Sequence, residues 1–517
     1  MQERQMKKRR LMVHGAMAAI ASAGLMAVPV SAPVLARTAQ PQAIQPFSQA
    51  EKNQGAQAHT EILQEFGGAM SGRQADYVRG VGQTIAVQSG LSTARSDFTV
   101  TLLNSAVNNA FALPGGYIYT TRQLVGLMNN EAELAGVLGH EVGHTAARHS
   151  KARQRRATRN SILGVLGTIV GGMLGDNGGL AGTVGGLLQN NAMRAAQLAT
   201  LGYSRSQETQ ADDLGIRYLA GAGYDPTALS TMLASLAAQN TLDQRAAGQD
   251  ARSIPEWAST HPDPASRVRR ALTQAQAQRV TNGRLNRDTF LTAIDGLMYG
   301  DDPRQGVVEG RDFLHPDLRL AFTVPQGFGM SNGATAVTVS GNSGQAQFTT
   351  AAYSGDLDAY VRNVFQQLVS ASNGSGSSNS ATPQLGQITR TTVNGIPAAY
   401  ASARAQAQNG PVDVTIFAYG FSNSNAYHFV AITPQGQMRV FDPLFGSVRR
   451  LTDREAAAVR AREVDVVTVR RGDTLQSLSA RMAYPSLQLE RFLVLNGLTS
   501  TSTLTPGQKV KIVTYSS

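Results

Sequence analysis

Three side chains in residues 130–150 have the types and the spacing that a catalytic metal site needs. His140 and His144 are four residues apart and Glu141 follows the first of them, which gives the pattern H-E-x-x-H. Four residues make about one helical turn, so both imidazoles can reach one ion at about 2.0 to 2.1 Å. Glu141 lies about 100° further round the helix, where it can take a proton from water. The pattern predicts a zinc site with a general base beside it.

A second segment supplies a third ligand. Ser204 and Gln207 form a capping-box pattern that begins a helix, with Glu208 in the first turn and Asp212 one turn later on the same face. Two histidines and one carboxylate leave a position open for water, as in catalytic zinc sites, whereas structural zinc takes four protein ligands. The alternatives are an accidental pattern on a buried helix and, for Asp212, a surface acid beside Asp213.

The sequence also indicates the helix that must position these residues. Asn130, with Glu133 three residues on, predicts a helix N-terminus, and the helix should continue through both histidines. An apolar stripe behind the ligands predicts that this helix lies in a core; it consists of Leu134, Leu138, Val142 and Ala146.

Four motifs resemble one known family. They are NAFALPGGYIYTT from Asn109, HEVGH from His140, SRSQETQAD from Ser204 and THPDPASR from Thr260. In this order they resemble the gluzincin metallopeptidases of family M48, which include the CAAX prenyl endopeptidases and bacterial heat-shock membrane proteases. The resemblance covers roughly residues 56–278.

The resemblance implies a role for each matching residue of the centre. It implies that His140, His144 and Glu208 bind one Zn²⁺ per chain and that Glu141 is the general base. It also implies that Asp212 orients a ligand histidine, which agrees with the usual hydrogen bond from a ligating imidazole to a carboxylate.

Residues around the centre receive roles from the same resemblance. Asn109, Ala110 and Phe111 would lie on a strand at the rim of the cleft and contact an extended peptide. Arg267 would polarise the scissile carbonyl, and His261 would contact zinc or substrate, or cap the zinc in a resting state. The alternatives are an ordinary hairpin, a surface cation and a loop cap.

The N-terminus has the pattern of a signal peptide. A basic cluster at residues 7–10 precedes a mostly apolar run at 11–30, and Val34-Leu35-Ala36 suits a cleavage site. We expect export to the periplasm or cell envelope with cleavage after Ala36; an uncleaved anchor is the alternative.

Charge and cysteine content narrow the possible partners. Residues 1–36 hold five positive charges and one negative, so their removal lowers the net charge from +11 to +7. The basic residues are dispersed and no nucleic-acid module is present, so we expect no nucleic-acid partner. Because the chain has no cysteine, disulfides, thiol nucleophiles and a cysteine-linked lipid anchor are excluded.

The predicted fold class is α+β. A mainly helical zincin protease domain with a small edge sheet is expected at residues 37–280, and a linker at 281–310. A small α+β domain, whose pattern of strands and one helix resembles the PsbP type, is expected at 311–450.

Two further segments suggest contacts outside the protease domain. Residues 151–159 are basic and 161–188 are rich in glycine and aliphatic residues, which suggests an amphipathic lid that touches a membrane surface. The alternative is a helical hairpin in the core.

Residues 464–514 resemble the lysin-motif (LysM) module, a β-α-α-β unit, through VTVRRGDTLQSLSARM from Val467, LERFLVLNGL and LTPGQKVKIV. This resemblance implies binding to N-acetylglucosamine polymers, hence peptidoglycan; alternatively, the module only packs on the protease.

Together these patterns predict an exported zinc-dependent metalloendopeptidase that is held near peptidoglycan. Its expected substrates are polypeptides of the envelope, either misfolded or outer-membrane proteins. The alternatives are a non-catalytic peptidoglycan-binding or chaperone-like envelope protein, and a hydrolase of peptidoglycan peptides.

Overall fold

A computed structural model describes residues 44–149, 203–246, 261, 264–373, 384–407 and 410–516. The predicted signal peptide, the basic residues 151–159 and the predicted lid at 161–188 lie outside these ranges. Among the helices in these ranges, none combines the length and the apolar character that crossing a membrane requires.

Among the described residues, helices dominate the first half of the chain and strands dominate the second half. The helices are α1 Gln49–Glu65, α2 Arg73–Ala86, α3 Arg122–Leu127, α4 Glu131–Ala146, α5 Arg205–Gly221, α6 Ala228–Ala246, α7 Pro264–Ala277, α8 Arg287–Ile294, α9 Leu357–Asn373, α10 Asp442–Ser447, α11 Asp453–Ala458, α12 Leu475–Ser479 and α13 Gln488–Leu495. The strands are β1 Thr99–Leu103, β2 Ala110–Leu113, β3 Tyr117–Thr121, β4 Met298–Tyr299, β5 Val307–Glu309, β6 Asp312–His315, β7 Leu320–Thr323, β8 Phe328–Asn332, β9 Val337–Gly341, β10 Gly344–Thr350, β11 Thr389–Val393, β12 Ile396–Ala407, β13 Gly410–Gly420, β14 Ala426–Pro434, β15 Arg449–Arg450, β16 Arg462–Thr468 and β17 Lys509–Tyr515. The predicted α+β class is confirmed.

The predicted zinc helix is α4, and it lies in the core. Every side chain from Glu131 to His144 is buried. Asn130 caps the helix as predicted, accepting from the backbone N–H of Glu133. The Glu133 carboxylate, however, accepts from the N–H of Asn129 and the hydroxyl of Thr231, not from the N–H of the capping residue. The helix start is therefore tied to the preceding turn and to α6.

A small sheet lies beside α4. Its order is β1-β3-β2, with β1 and β3 parallel and β2 and β3 antiparallel, so β2 is an edge strand. Ile62 of α1 and Phe66, which caps its C-terminus, pack against Phe111 and Tyr119. Helix α4 packs against β2. The predicted strand at residues 98–103 and the predicted strand pair at 109–121 correspond to these three strands.

Glycines allow α4 and α5 to approach closely. A Cβ on Gly215 of α5 would lie 3.0 Å from the backbone nitrogen of His140, and one on Gly143 would lie 3.1 Å from the Ala211 carbonyl oxygen. Such spacings are tighter than ordinary van der Waals contact, so larger side chains would separate the helices. The close approach brings the first turn of α5 to the two histidines.

Residues 281–310, predicted as a linker, are folded. They contain α8, β4 and β5, and Phe290, Leu291 and Ile294 are at most 1% exposed in the same core as α4. Their hydrophobic residues find partners that are distant in sequence, which a local pattern does not reveal. The segment is therefore part of the protein core.

Residues 311–450 contain the helices α9 and α10 and contribute most strands of two sheets, with β5 added from residues 307–309. A seven-stranded antiparallel sheet has the order β11-β12-β13-β14-β10-β9-β8, and β15-β7-β6-β5 form a second sheet. Helix α9 packs against β12 and β13. His428 on β14 is buried, with Nδ1 2.8 Å from the Tyr360 hydroxyl.

The last elements, β16, α12, α13 and β17, follow the predicted β-α-α-β order. Strand β16 pairs with β4, so the unit and residues 298–299 share a sheet of order β17-β16-β4. Val464, Phe492 and Ile512 belong to the same hydrophobic cluster as Leu134 and Leu138 of α4. This unit is therefore continuous with the core that supports α4.

A buried lysine connects the last strand of this unit to the end of α3. The ammonium of Lys511 on β17 donates to the carbonyls of Gly126, Leu127 and Met128 at the end of α3. Burial lowers the pKa of Lys511 to about 7. Lys511 thereby fastens the last strand to the turn that leads into α4.

Candidate metal centre

The side chains predicted to bind zinc come together. Nε2 of His140 lies 3.0 Å from Nε2 of His144, and the two Glu208 oxygens lie 3.3 Å from His144 Nε2 and 3.7 Å from His140 Nε2. Ligand atoms of these three residues and of His261 all lie within 4.8 Å of one another. Two turns of α4 and the first turn of α5 thus present one cluster of donors.

The protons of this cluster leave lone pairs pointing inward. Nδ1 of His140 lies 3.0 Å from Oδ1 of Asp212, and a carboxylate can only accept, so Nδ1 carries the proton and Nε2 keeps its lone pair. Oε1 of Glu208 is buried and accepts no hydrogen bond from the residues that the structure describes. A lone pair on Nε2 of His140 beside a carboxylate oxygen with no hydrogen-bond donor fits a cation, and two imidazoles with a carboxylate suit zinc.

Electrostatics distinguishes the two histidines. Burial lowers the pKa of His140, but the hydrogen bond and charge of Asp212 and the charge of Glu208 outweigh it, so that pKa is raised. The pKa of His144 is held well below its usual value by burial and by the neighbouring histidines. His144 therefore stays neutral, the form that binds metal.

Glu141 and His261 lie beside the cluster. Both are 1% exposed, and Oε1 of Glu141 lies 3.3 Å from Nε2 of His261. Oε2 of Glu141 accepts no hydrogen bond within the described ranges. Glu141 is thus a buried acceptor placed next to the ligands rather than among them.

Arg267 lies behind the ligand carboxylate. Its guanidinium donates to both oxygens of Asp212, at 2.9 and 2.5 Å, and to Oε2 of Glu208 at 2.5 Å. Burial raises the pKa of Asp212, but hydrogen bonds from His140 and Arg267 outweigh it and lower that pKa. Since Arg267 donates to both acids, the geometry favours holding Glu208 in place, and polarisation of a carbonyl by Arg267 stays a prediction.

The predicted substrate-binding residues lie at the edge strand. Asn109 is fully buried, with its backbone paired to Thr121 and its side-chain amide unpartnered among the described residues. The ring of Phe111 packs on Tyr119 and Phe66, at centroid distances of 4.8 and 5.3 Å. Ala110 and Phe111 can therefore meet a peptide through the backbone of β2, and this contact stays a prediction.

Two residues that contact His144 were not predicted from the sequence. His149 places Nδ1 2.8 Å from Nδ1 of His144, and the ring of Tyr203 stacks on His144 at 3.6 Å between centroids. His149 follows His144 by five residues and Tyr203 precedes the cap Ser204, but no zinc motif requires either spacing.

Comparison with known proteins gives this cluster its context. Residues 72–275 match the family described as Peptidase family M48, and residues 467–513 match the LysM domain. The chain is similar to the Beta-barrel assembly-enhancing protease of Yersinia pestis, with 30% identity over 230 residues that cover 44% of each chain. It is also similar to the Mitochondrial metalloendopeptidase OMA1 of Schizosaccharomyces pombe, with 29% identity over 238 residues that cover 45% of this chain and 64% of that protein. The match therefore spans less than two thirds of these relatives' own lengths.

A comparison with solved structures gives a weaker similarity. The solution structure of cyanobacterial PsbP from Synechocystis sp. PCC 6803 is similar over 27% of this chain and 91% of that chain, with 11% identity and a TM-score of 0.22. At this TM-score the PsbP-like interpretation of residues 311–450 stays a prediction. The two family matches, by contrast, lie on the metal cluster and on the β-α-α-β unit, so the chain carries a domain of peptidase family M48 followed by a LysM domain.

Proposed function

We propose that this protein is a zinc-dependent metalloendopeptidase. The observation that carries the proposal is the convergence of His140, His144 and Glu208, with the buried Glu141 beside them. Two imidazoles and one carboxylate leave a position for water, as hydrolytic zinc sites require. The names of both relatives, a protease and a metalloendopeptidase, support the same activity.

Each residue of the site has a distinct task in peptide hydrolysis. His140, His144 and Glu208 would hold the zinc, which supplies a Lewis acid for an oxygen of water or substrate. Glu141 takes the proton of the attacking water and returns it to the leaving amine. Asp212 keeps the proton of His140 on Nδ1, and Arg267 holds both acids in position.

The polypeptide substrate would add to the edge strand β2. Among the residues that the structure describes, β2 pairs only with β3, so its outer edge has main-chain groups available for a peptide. An extended peptide gains affinity there through main-chain hydrogen bonds and is held beside α4. Asn109, Ala110 and Phe111 are the proposed contacts.

Two substitutions and a control test the activity. Glu141→Gln removes the base and keeps the ligands, so purified protein should retain zinc and lose cleavage of an unfolded protein such as casein. Glu208→Gln should lose zinc as well. Asp213→Asn, in the same helix but 37% exposed and paired with Arg270, should change neither zinc content nor cleavage. Casein cleavage by the Glu141→Gln protein at the wild-type rate would exclude the proposed base.

The proposed location is the cell envelope. The signal-peptide pattern of residues 1–36 supports export, and the LysM match supports contact with N-acetylglucosamine polymers such as peptidoglycan. The proposed substrates are misfolded or outer-membrane proteins, in keeping with the name of the first relative.

Substrate trapping tests this assignment. Crosslinking to Glu141→Gln in intact cells should enrich envelope proteins, and crosslinking to the wild-type protein should not retain them. A wild-type protein that co-sediments with peptidoglycan but cleaves no protein would instead favour the non-catalytic alternative.

A further inference from the structure

We propose that His149 and Gln210 are positioning residues that fix the tautomer of His144. This proposal rests on the proposed function, because it concerns how a zinc ligand is prepared. The family motif supplies His144 but leaves open what its second nitrogen contacts. The structure places a second histidine there, followed by an amide from a different helix.

The contacts form a short chain of hydrogen bonds. Nδ1 of His144 lies 2.8 Å from Nδ1 of His149, and Nε2 of His149 lies 3.0 Å from Oε1 of Gln210. His144 and His149 are buried, at 2% and 3% exposure, and Gln210 is on α5 two residues after Glu208. These hydrogen bonds thus connect His144 of α4 to Gln210 of α5, on the side of the His144 ring opposite the candidate metal ligands.

When His149 is neutral, counting protons along these hydrogen bonds gives one arrangement. Oε1 of Gln210 can only accept, so Nε2 of His149 must be the donor. A neutral imidazole carries one N–H, and Nδ1 of His149 therefore holds a lone pair. The 2.8 Å contact then requires the proton to be on Nδ1 of His144. Nε2 of His144, which faces Glu208 and His140, is left with the lone pair that a zinc ion needs.

The two ligand histidines are therefore oriented by different chemistry. His140 donates to the carboxylate of Asp212, which brings a full negative charge. His144 donates to a neutral ring, so no third carboxylate is added beside the two that share the single positive charge of Arg267. Tyr203, stacked on His144 with 16° between the ring planes, hinders rotation of that ring.

Two substitutions at one position separate the proton acceptor from the bulk of the ring. In His149→Asn, Oδ1 takes the place of Nδ1 and can accept from His144, whereas His149→Phe keeps a ring and has no acceptor. His59→Phe is the matched control, because Nδ1 of His59 makes a 2.9 Å bond to the Tyr119 hydroxyl outside the metal centre.

The first readout needs no zinc. In zinc-free protein labelled with ¹⁵N-histidine, ring nitrogen shifts report each tautomer, and the His144→Gln spectrum assigns the His144 signals. Wild type, His149→Asn and His59→Phe should show His144 with the proton on Nδ1, and His149→Phe should show a mixture. Proton on Nε2 of His144 in the wild-type protein overturns the proposal, even if the Phe variant does not fold.

The second readout is zinc affinity, measured by competition with a chelating dye. Loss of such an orienting partner typically costs about 10- to 100-fold in metal affinity, so His149→Phe should bind zinc weaker by that factor. His149→Asn should stay within a few-fold of wild type. Equal affinity for His149→Phe and wild type refutes the proposal. Wild-type protein with the expected tautomer but no zinc affinity would refute the proposed function and leave the positioning role in place.

Discussion

Removing the guanidinium of Arg267 should destabilise the protein far more than its number of contacts suggests. In Arg267→Met, the carboxylates of Asp212 and Glu208 lose three charge-assisted hydrogen bonds at 2.5 to 2.9 Å. Both acids are 1% exposed, so water cannot replace the lost donors. Breaking a buried ion pair from one side costs about 3–5 kcal/mol, because a buried charge is left uncompensated. We expect a loss of that size in the free energy of unfolding.

The same helix provides a matched control. Arg270, three residues later on α7, binds Asp213 through two hydrogen bonds of 2.8 and 2.7 Å, but both partners are 37% exposed. Exposed pairs contribute about 0–1 kcal/mol. Arg270→Met should therefore cost at least about 2 kcal/mol less than Arg267→Met, although the two changes remove the same charge from the same helix.

Urea unfolding followed by circular dichroism measures both losses. The samples should contain a chelator, so that zinc binding does not add to the stability of the folded state. The pH dependence adds a second criterion. The pKa of Asp212 is lowered in the folded protein, so the stability it gives is present above the unfolded value of about 3.9 and is lost as the pH falls below it. Equal losses for the two variants at pH 7 would refute the reasoning.

Three further predictions concern other parts of the fold. Burial lowers the pKa of His428 to about 4. The free energy of unfolding of the wild type should therefore fall by up to about 3 kcal/mol as the pH falls from about 6.5 to 4. In urea unfolding, His428→Gln should not show this dependence on pH. Because the pKa of Lys511 is lowered to about 7 in the folded protein, the unfolded protein binds more protons than the folded protein between pH 7 and about 10.5. The stability of the wild type should therefore rise with pH in this range. Thermal melts of Lys511→Met at several pH values should not show this rise. Gly215→Ala forces a Cβ to 3.0 Å from the His140 nitrogen and should weaken zinc binding in a dye competition, whereas Gly221→Ala in the same helix meets only the end of the flexible Gln88 side chain and should bind zinc normally.

The cluster of candidate metal ligands was predictable because the spacing of these residues is local. His140 and His144 share a helical face by periodicity alone, and the Ser204 cap fixed where α5 begins and hence where Glu208 points. The strands at residues 98–121 and the order of elements in the LysM unit were predictable for the same reason. Each depends on a pattern within a few residues of chain.

What the sequence did not reveal depends on contacts between distant segments. The partners of Arg267 lie 55 and 59 residues away. Residues 281–310 contain an eight-residue helix and a two-residue strand that pairs with β16, so no periodicity marks them as core. His149 is only five residues from His144, but its role follows from Gln210, which is 61 residues distant.

The core that the LysM domain shares with α4 determines how this domain is oriented relative to the candidate metal centre. A module on a flexible tether can swing, and its catalytic partner then samples many orientations around the point of attachment. Here β16 pairs with β4, and Lys511 donates hydrogen bonds to the turn that precedes α4. The β-α-α-β unit therefore keeps one orientation relative to α4, and a ligand held by this unit would meet the candidate metal centre from a fixed direction.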